Sequence, residues 1–413
     1  MHFKFAHLAD CHIGCWRDPK LREATIEAFK TAVERCISVN VDFILISGDL
    51  FNTSLPSIDE LSAVVKELKK LEARNIPVYS IPGSHDFSPS GKTMLAVLES
   101  AKLITLVSKA DADHSSNKIR LLFTTDKKTG AKITGMLGKK GGLESEYYKI
   151  LDKEALASEP GFKIFMFHSA ITEFKPKSLA EMPSIPLSLL PEGFNYYAGG
   201  HVHERFQHNN IVFPGPLFPA NFKEFESLHY GSFCIVSVDN NKIAEIKFEP
   251  IQLFPHVGIM LNVDGKTPSQ AKEALLEELK QKNLLNAIVT IRVEGKLSHG
   301  KPSDMQFNEI FDHAYEKGAF FVMKNTSKLH GELFKEVKIT ATSTEEIEEK
   351  LINEHLQQIK MGLSKEQEKN LVKELISALD IEKEEGETTT TFEERLKQNF
   401  ERILEKHIKE IKP

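Results

Sequence analysis

The chain has 413 residues, 41% of them hydrophobic and 27% charged, a composition typical of a folded protein with two or three domains. No apolar run approaches the ~20 residues of a membrane span, and the start MHFKFAHLAD lacks the pattern of a signal peptide. Four cysteines are too few for a disulfide framework, so we expect a cytoplasmic protein that is neither secreted nor bound to a membrane.

The formal net charge of −6 is concentrated at one end of the chain. Residues 341–413 contain 12 Lys and Arg against 18 Asp and Glu, so the remaining residues carry no net charge. A neutral body can still have a local basic groove. The global charge therefore neither supports nor excludes binding to nucleic acid.

The first 250 residues alternate short apolar runs with amphipathic helical stretches such as 21–39 and 57–74. Five runs predict buried strands that end in polar residues, namely FKFAHLAD, VDFILISGD, IPVYSIPG, GFKIFMFH and FNYYAGGH. This alternation indicates an α/β layered fold. GSFCIVSVDNNKIAEIKFEPI then predicts a hairpin that turns at Asp239-Asn240-Asn241, typical of the edge of a second, antiparallel sheet.

From about residue 252 the pattern predicts strand, helix, strand, helix and strand, in the segments HVGIMLNVDG, SQAKEALLEELKQK, AIVTIRVEG, MQFNEIFDHAYEKG and AFFVMKN. We therefore place one domain at 1–250 and a small α/β domain at 255–340, with a boundary near Pro255.

Residues 343–413 are predicted to be helical, with a solvated linker near 382–390. Capping-box signatures begin three helices, at Ser343, Ser364 and Thr391. The last helix places an apolar stripe on one face, consisting of Phe392, Leu396, Phe400, Ile403, Leu404, Ile408 and Ile411. These helices have too little apolar area to fold alone, so they either pack on the body or dock a partner, and the linker favours a partner.

Polar clusters stand where the five predicted strands end, at Asp10-Cys11-His12, Gly48-Asp49, Gly83-Ser84-His85-Asp86, His168 and Gly199-Gly200-His201-Val202-His203. A single histidine is more often structural, but strand ends in α/β sheets converge on one site. Imidazole and carboxylate ligands together suit Mn²⁺, Fe²⁺ or Zn²⁺. Asp49 is the candidate to bridge two ions, which together would clamp a phosphate and activate water.

The series D-x-H, G-D, G-[N/S]-H-D, H and G-H-x-H resembles the calcineurin-type metallophosphoesterases. With its GDLF segment, its length, the small second domain and the helical tail, the chain resembles the archaeal Mre-eleven (Mre11) family of double-strand-break repair nucleases. The resemblance covers essentially the whole chain and is strongest over residues 1–220. It implies a four-layer α/β core of two sheets flanked by helices, an α/β capping domain that binds DNA, and a tail that binds a Rad-fifty-type ATPase.

The resemblance also implies ligands for two Mn²⁺ ions that share one carboxylate. One ion would be held by Asp10, His12, Asp49 and His203, and the other by Asp49, Ser84, His168 and His201. His85 would contact the scissile phosphate, and Asp86 would orient its ring. The family usually has Asn where this chain has Ser84. A serine hydroxyl is a poorer neutral ligand, so it would bind the second ion directly, through a water, or not at all.

By this resemblance we expect a nucleoid-associated 3′-to-5′ exonuclease and single-strand endonuclease that is gated by the ATPase. Two alternatives stay open. One is a phosphoesterase for small molecules or proteins with the same metal core, and the other is a catalytically silent scaffold. The helix around Leu61, Val65 and Leu68 is most simply core-facing, although in the family the helices here and near 92–101 form a homodimer.

Basic loop residues could contact a DNA backbone, namely Arg17, Lys20, Arg22, Lys139, Lys140, Lys175 and Lys177. Trp16 could touch a base or sugar. Gly91, Lys92 and Thr93 imitate part of a P-loop, but that motif needs Gly where the chain has Asp86. Gly91 and Lys92 predict a helix-entry loop instead, with Lys92 near a DNA phosphate. Cys11 and Cys15 have no second cysteine pair to complete a zinc site, so we expect both to be buried.

Overall fold

The computed structural model describes residues 2–88, 93–113, 118–176, 179–331, 348–349, 352–353, 356, 363–381 and 389–409. In chain order its strands are β1 (His2–Leu8), β2 (Phe43–Ser47), β3 (Val78–Ile81), β4 (Thr105–Leu106), β5 (Ala110–Asp113), β6 (Lys118–Leu121), β7 (Thr124–Thr125), β8 (Lys132–Met136), β9 (Lys163–His168), β10 (Ala170–Ile171), β11 (Ser184–Ile185), β12 (Tyr196–Gly200), β13 (Phe206–His208), β14 (Ile211–Phe213), β15 (Gly231–Asp239), β16 (Lys242–Ile251), β17 (His256–Asn262), β18 (Ile288–Lys296) and β19 (Phe321–His330).

The helices are α1 (Pro19–Ser38), α2 (Ile58–Glu72), α3 (Met94–Ser100), α4 (Ser145–Lys149), α5 (Lys153–Ser158), α6 (Phe222–Leu228), α7 (Pro268–Gln281), α8 (Phe307–Glu316), α9 (Lys365–Leu379) and α10 (Thr389–Lys409). Short 3-10 turns lie at Lys140–Gly142, Thr172–Phe174, Leu187–Leu189 and Pro302–Met305. The chain forms two compact units. One contains the described residues up to Ile259 together with Glu278–Arg292 and Phe311–Asn325, and the other contains the remaining described residues.

The first sheet has six strands in the order β16-β15-β1-β2-β3-β4. Strands β1 to β4 are parallel, with Phe5 opposite Phe43. The predicted hairpin is confirmed as β15 and β16, and its turn has positive φ at Asn240 and Asn241. Its assignment to the edge of a second sheet is wrong, because β15 pairs antiparallel with β1. A local pattern predicts the hairpin but carries no signal for this pairing between distant parts of the chain.

The second sheet also has six strands, in the order β13-β14-β12-β9-β8-β7. Alternate residues of β9 serve two cores, which explains why the whole strand is apolar. Ile164 and Met166 pack towards the first sheet, where they meet Phe5. Phe165 and Phe167 pack on the other face, in a cluster with Tyr148 of α4 and Leu156 of α5.

Helices α1 and α2 cover the other face of the first sheet. Ala28 of α1 and Leu68 of α2 belong to the same buried cluster as Ile44 of β2, whereas the intervening Phe43 and Leu45 face the second sheet. The order of layers is therefore helix, sheet, sheet, helix. The predicted four-layer α/β core is confirmed.

The segment after residue 255 contains the predicted strand–helix–strand–helix–strand series as β17, α7, β18, α8 and β19. Its strands form a three-stranded sheet in the order β17-β18-β19. The small α/β element set is thus confirmed, while the boundaries 1–250, 255–340 and 343–413 stay predictions.

The described part of the tail contains the two helices α9 and α10. The capping box at Ser364 is confirmed, since its hydroxyl accepts from the Gln367 amide at 3.3 Å. The box at Thr391 is wrong, because α10 begins at Thr389 and places Thr391 inside the helix. Thr391 is the last of four consecutive threonines, and Thr390 is likewise followed three residues later by a glutamate, Glu393. The box at Ser343, Ile411 and the side chain of Ile408 lie outside the described residues.

Within the described ranges, no helix is both long enough and apolar enough to cross a bilayer. The four cysteines are free thiols. Cys11, Cys36 and Cys234 are buried, as expected for Cys11, whereas Cys15 is only partly buried.

Candidate metal centre

The five predicted polar clusters lie at the carboxyl ends of β1, β2, β3, β9 and β12. Four of the predicted ligands have a left-handed backbone, with φ of 50° at Asp10, 43° at His12, 53° at Asp49 and 84° at His201. This conformation is uncommon outside glycine, costs on the order of 1–3 kcal/mol where it is strained, and concentrates at functional sites. The chain is thus bent sharply at the points where these side chains meet.

Two glycines allow the loops to approach one another. Gly48 has a φ of +88°, and a Cβ there would lie 2.2 Å from His168 Nδ1. A Cβ on Gly83 would lie 2.2 Å from Asp49 Oδ1. Both distances are far inside van der Waals contact, so the geometry requires glycine at both positions.

His168 and Asp49 are both buried in the centre. His168 Nδ1 lies 2.8 Å from the Ser47 carbonyl oxygen, to which it donates. Nε2 of the neutral ring therefore carries a lone pair. This atom is buried without a hydrogen-bond partner and lies 3.1 Å from Asp49 Oδ2. Two electron-rich atoms facing each other at this distance are the arrangement that a cation stabilises.

His12 and His203 approach the same carboxylates from the other side. His203 Nδ1 donates to Glu224 Oε1 at 2.8 Å, which leaves its Nε2 as the potential ligand atom. That Nε2 lies 3.0 Å from His12 Nε2 and 3.7 Å from Asp10 Oδ1. His12 Nε2 lies 3.7 Å from Asp49 Oδ2. Both rings thus direct Nε2 towards the two aspartates.

Within the described residues, three groups each offer ligand atoms that lie within 4.8 Å of one another. They are Asp10-His12-His203, His12-Asp49-His85 and Asp10-Asp49-His168. Overlapping groups of carboxylate and imidazole donors, several of them buried, fit a divalent metal of the Mn²⁺, Fe²⁺ or Zn²⁺ type.

The electrostatics of the cluster point to the same chemistry. Burial disfavours the charged form of His168, but the charges of Asp49 and Asp10 outweigh it and raise the pKa to about 10. Burial likewise opposes charge on His203, yet Glu224 and Asp10 raise its pKa to about 9. Burial opposes the Asp49 anion, but His168 holds the pKa of Asp49 below its usual value. The carboxylates of the cluster stabilise positive charge on the neighbouring histidines. A bound metal ion would supply that charge in place of protons.

The structure gives His85 a different support from the predicted one. Its Nδ1 donates to the Asn52 carbonyl oxygen at 2.8 Å, and its amide donates to Asp49 Oδ1 at 2.8 Å. The prediction that Asp86 orients this ring is wrong. Asp86 instead accepts the amides of Leu50 at 3.2 Å and Gly83 at 3.1 Å.

Asp86 also accepts the Phe51 amide at 3.2 Å and so ties the loop after β2 to the loop after β3. Its carboxylate is fully enclosed, and burial together with the nearby Asp49 raises its pKa to about 7. Asp86 therefore supports the loops that carry Asp49 and His85, while the hydrogen bond of His85 Nδ1 goes to Asn52.

Ser84 and His201 lie at the centre but are less tightly gathered. Ser84 Oγ is 3.4 Å from Asp49 Oδ2. The His201 amide donates to Asp10 Oδ1 at 3.0 Å, and its ring centroid is 5.1 Å from that of His168. Among the described residues, His201 belongs to none of the three groups of converging imidazole and carboxylate atoms. Their role as metal ligands stays a prediction.

Three supporting residues were not identified from the sequence. Glu224 orients His203 and is itself held by Asn221 Nδ2 at 2.6 Å and the Ala220 amide at 2.7 Å. Its signal was available, because Asn221 followed three residues later by Glu224 is a helix-start pattern. Asn52 and Ser47 act through their backbone carbonyl oxygens. Because every residue has this group, the residue type does not reveal the role.

The candidate DNA-contacting residues have mixed surroundings. The Trp16 indole donates to the Pro219 carbonyl at 3.0 Å, and its ring packs at 5.9 Å from Phe225. Lys139 is partly buried, with its ammonium 4.2 Å from the Tyr147 ring centroid. Arg17 and Lys140 are exposed. Lys92 and Lys177 lie outside the described residues.

Three further basic residues contact backbone carbonyls of the protein itself. Arg22 donates to Trp16 at 3.0 Å, Lys175 to Ala180 at 2.7 Å, and Lys20 to Phe320 at 3.5 Å. Binding of DNA by any of these lysines and arginines stays a prediction.

Two smaller expectations concern α2 and the loop before α3. Leu68 is buried, and Leu61 and Val65 are partly buried against the same core, so that face of α2 is core-facing as expected. The helix-entry loop predicted at Gly91 and Lys92 lies outside the described residues. Thr93, the next residue, accepts from the Ala96 amide at 3.4 Å as the N-cap of α3.

Comparison with known proteins identifies the family. Residues 3–205 match the model of the calcineurin-like phosphoesterase family. The chain is 31% identical over 324 residues to the DNA double-strand break repair protein Mre11 of Thermoplasma acidophilum, covering 75% of this chain and 81% of that protein. It is 28% identical over 230 residues to the protein of the same name from Archaeoglobus fulgidus, covering 54% and 51%.

The chain spans about half the length of the relatives from Archaeoglobus fulgidus and Methanococcus maripaludis. Among solved structures, a dimetal phosphatase from Danio rerio matches 60% of this chain and 95% of that chain at 13% identity, with a TM-score of 0.38, which is too low to carry an argument. The extended similarity to the Thermoplasma protein is decisive. The chain belongs to the Mre11 family of calcineurin-like phosphoesterases.

Proposed function

We propose that the protein is a divalent-metal-dependent DNA phosphodiesterase, a nuclease of double-strand-break repair. The observation that carries the proposal is the convergence of His12, His168 and His203 on the carboxylates of Asp10 and Asp49. We further propose that two Mn²⁺ ions bind here and share Asp49, with Ser84 and His201 completing the second ligand set.

When bound, the ions would activate a water molecule and neutralise charge that develops on the phosphate. The protein supplies the rigid frame for this chemistry. Ser47 and Glu224 fix the ring orientations of His168 and His203 by hydrogen bonds to Nδ1. The buried position of both aspartates excludes bulk water and strengthens every charge interaction at the site.

His85 is the residue that we assign to the scissile phosphate. Because its Nδ1 donates to the Asn52 carbonyl, its Nε2 is the ring atom left to meet substrate. From there a protonated Nε2 would donate to the leaving oxygen or to a phosphate oxygen in the transition state. The amide contact to Asp49 keeps the ring beside the carboxylate that we propose as the metal bridge.

The proposed substrate and partners follow from the family. Its relatives are named for DNA double-strand break repair. We therefore propose 3′-to-5′ exonuclease and single-strand endonuclease action, a homodimer, and a Rad-fifty-type ATPase that docks on the tail and gates the activity. Such a protein would work in the cytoplasm at the nucleoid.

The test is cleavage of DNA by the purified full chain. With Mn²⁺ we expect degradation of linear DNA and much slower hydrolysis of nitrophenyl phosphates, and we expect chelation of the metal to stop both. Asp49→Asn is the inactive reference, because it weakens the proposed bridge. Absence of Mn²⁺-stimulated DNA cleavage at any useful enzyme concentration would favour a silent scaffold, and preference for nitrophenyl phosphates would favour a small-molecule phosphoesterase.

A further inference from the structure

Helix α6 contacts both the candidate metal centre and the strands β17 and β18. It has seven residues and is flanked by Asn221 at its start and His229 at its end. One side of this helix supports a proposed metal ligand. The other side is held by side chains of the two strands. No part of the proposed chemistry requires this second set of contacts.

The first set of contacts links α6 to the metal centre. Glu224 accepts from His203 Nδ1 at 2.8 Å and so fixes the direction of His203 Nε2. The ring of Phe225, the next residue, lies 5.9 Å from Trp16, which follows the loop of Asp10 and His12. A displacement of α6 would therefore move the support of His203.

The second set of contacts links α6 to β17 and β18. Arg292 of β18 forms a two-point ion pair with Glu226, with Nε 2.8 Å from Oε1 and Nη2 2.5 Å from Oε2. The Arg292 guanidinium also lies 5.3 Å from the Phe222 ring. The side chains of Arg292 and Glu226 are only 17% and 24% exposed, so solvent screens the pair less than an ordinary surface pair.

His256 of β17 adds a second attachment at the end of the helix. Its Nδ1 lies 2.9 Å from His229 Nδ1, and its Nε2 lies 2.9 Å from Thr290 Oγ1 of β18. Its ring also packs against Phe225, with centroids 6.0 Å apart. The helix is thus held at Phe225, Glu226 and His229, all within five residues of Glu224.

We propose that Arg292 and His256 are positioning residues for the metal centre, acting through α6 on Glu224 and His203. The proposal rests on the proposed function, because it assumes the metal centre described there. It adds a way in which the metal affinity of that centre is regulated. Because Glu226 and Glu224 share one helical turn, a shift of β18 that pulls on Glu226 also turns Glu224 and with it the His203 ring. Metal affinity then depends on where β17 and β18 lie.

The test is Mn²⁺ binding by the full chain, measured by calorimetric titration and by electron paramagnetic resonance of the free ion. We expect Arg292→Ala to weaken the affinity of the site that contains His203 by about two- to thirtyfold. The exchanged pair, Glu226→Arg with Arg292→Glu, should recover most of the loss. Glu224→Gln calibrates the assay with a loss of about ten- to hundredfold.

Arg35→Ala is the matched control, since Arg35 of α1 pairs with Glu249 of β16 at 3.1 Å, an ion pair that includes no residue of α6 and none of the candidate ligands. It should leave Mn²⁺ affinity at the wild-type value. If Glu224→Gln weakens binding and Arg292→Ala does not, the coupling through α6 is refuted and the metal centre stands. If Glu224→Gln also binds Mn²⁺ as wild type does, the ligand assignment itself fails, and the coupling with it.

Discussion

The position of His85 fits two roles, a metal ligand or a residue that contacts the scissile phosphate. Its ring packs at 4.8 Å from His12, and one of its nitrogens falls within the ligand group of His12 and Asp49. The hydrogen bond to Asn52 nevertheless fixes the ring from outside the cluster. The two roles differ in a measurable way, because a ligand contributes to metal affinity whereas a phosphate contact contributes to turnover.

We predict that His85→Ala abolishes DNA cleavage with little loss of Mn²⁺. Removal of a general acid or of a transition-state contact typically costs about 10²- to 10⁴-fold in rate. The measurements are kcat on an oligonucleotide and Mn²⁺ affinity by calorimetry. Retained turnover would remove His85 from its assigned role, and a parallel loss of metal would make it a ligand.

His7 of β1 is a buried titratable group that contacts Tyr196 of the second sheet. It is fully buried, with Nδ1 2.9 Å from the Tyr196 hydroxyl, and burial lowers its pKa to about 3. The unfolded chain takes up a proton near pH 6.5, whereas the folded chain does not. The stability that depends on neutral His7 is therefore present above pH 6.5 and is lost as the pH falls towards 3.

We predict that His7→Gln reduces the loss of unfolding free energy between pH 7 and pH 5 by about 2 kcal/mol. Glutamine retains a polar group for Tyr196 but does not titrate. Urea denaturation at the two pH values measures the difference. Equal pH dependence in His7→Gln and wild type would contradict the assignment.

At the scale of elements, the loop after β2 brings the two sheets together at the centre. Gly48 in this loop combines a positive φ with contact to His168, and Asp49 follows it directly. Gly141 has a similar φ of +71°, but a Cβ there would meet no atom within 4 Å. A comparison of alanine substitutions at these two glycines therefore separates the cost of backbone strain from the cost of a steric clash.

We predict that Gly48→Ala impairs Mn²⁺ binding strongly, because the new methyl group must displace His168 or the loop. Gly141→Ala should cost only the backbone strain, about 1 kcal/mol, and leave Mn²⁺ binding intact. Calorimetry with Mn²⁺ and thermal unfolding of both variants give the comparison. Similar metal affinities for the two variants would show that the close approach at Gly48 does not shape the centre.

The sequence predicts the strands, and therefore the residues of the metal centre, better than it predicts the residues that hold those side chains in position. Asp10, Asp49 and His168 could be placed together because each follows an apolar run, and parallel strand ends converge. The error at Asp86 has a physical reason. Adjacency to His85 in sequence suggested a contact, but the Asp86 carboxylate is taken up by the amides of neighbouring loops.

Partners that act through the backbone, such as Asn52, and pairings between distant strands, such as β1 with β15, have no signature in local sequence. Glu224 is the exception, since its helix-start pattern was visible. Support residues of this kind emerge only when the fold brings the loops together.

At the scale of the whole molecule, the acidic tail differs from the neutral body in its packing. In α10, Ile403 is buried, while Phe400 is 39% exposed on the same predicted stripe. Lys406 Nζ lies 2.9 Å from Glu374 Oε1, which joins α10 to α9. The two helices thus cover part of the stripe and leave Phe400 available as an anchor for a partner helix.

We predict that Phe400→Asp weakens binding to a Rad-fifty-type ATPase by about tenfold or more, because a charge replaces an exposed aromatic anchor that the ATPase would bury. Mn²⁺-dependent cleavage by the isolated protein should stay unchanged, since Phe400 belongs to the second compact unit, which contains none of the candidate ligands. Gln398→Asp adds the same charge at an exposed position off the stripe, and we expect it to bind the ATPase as wild type does. Isothermal titration with the ATPase measures both variants. Equal affinities for Phe400→Asp and Gln398→Asp would rule out the stripe as the docking surface.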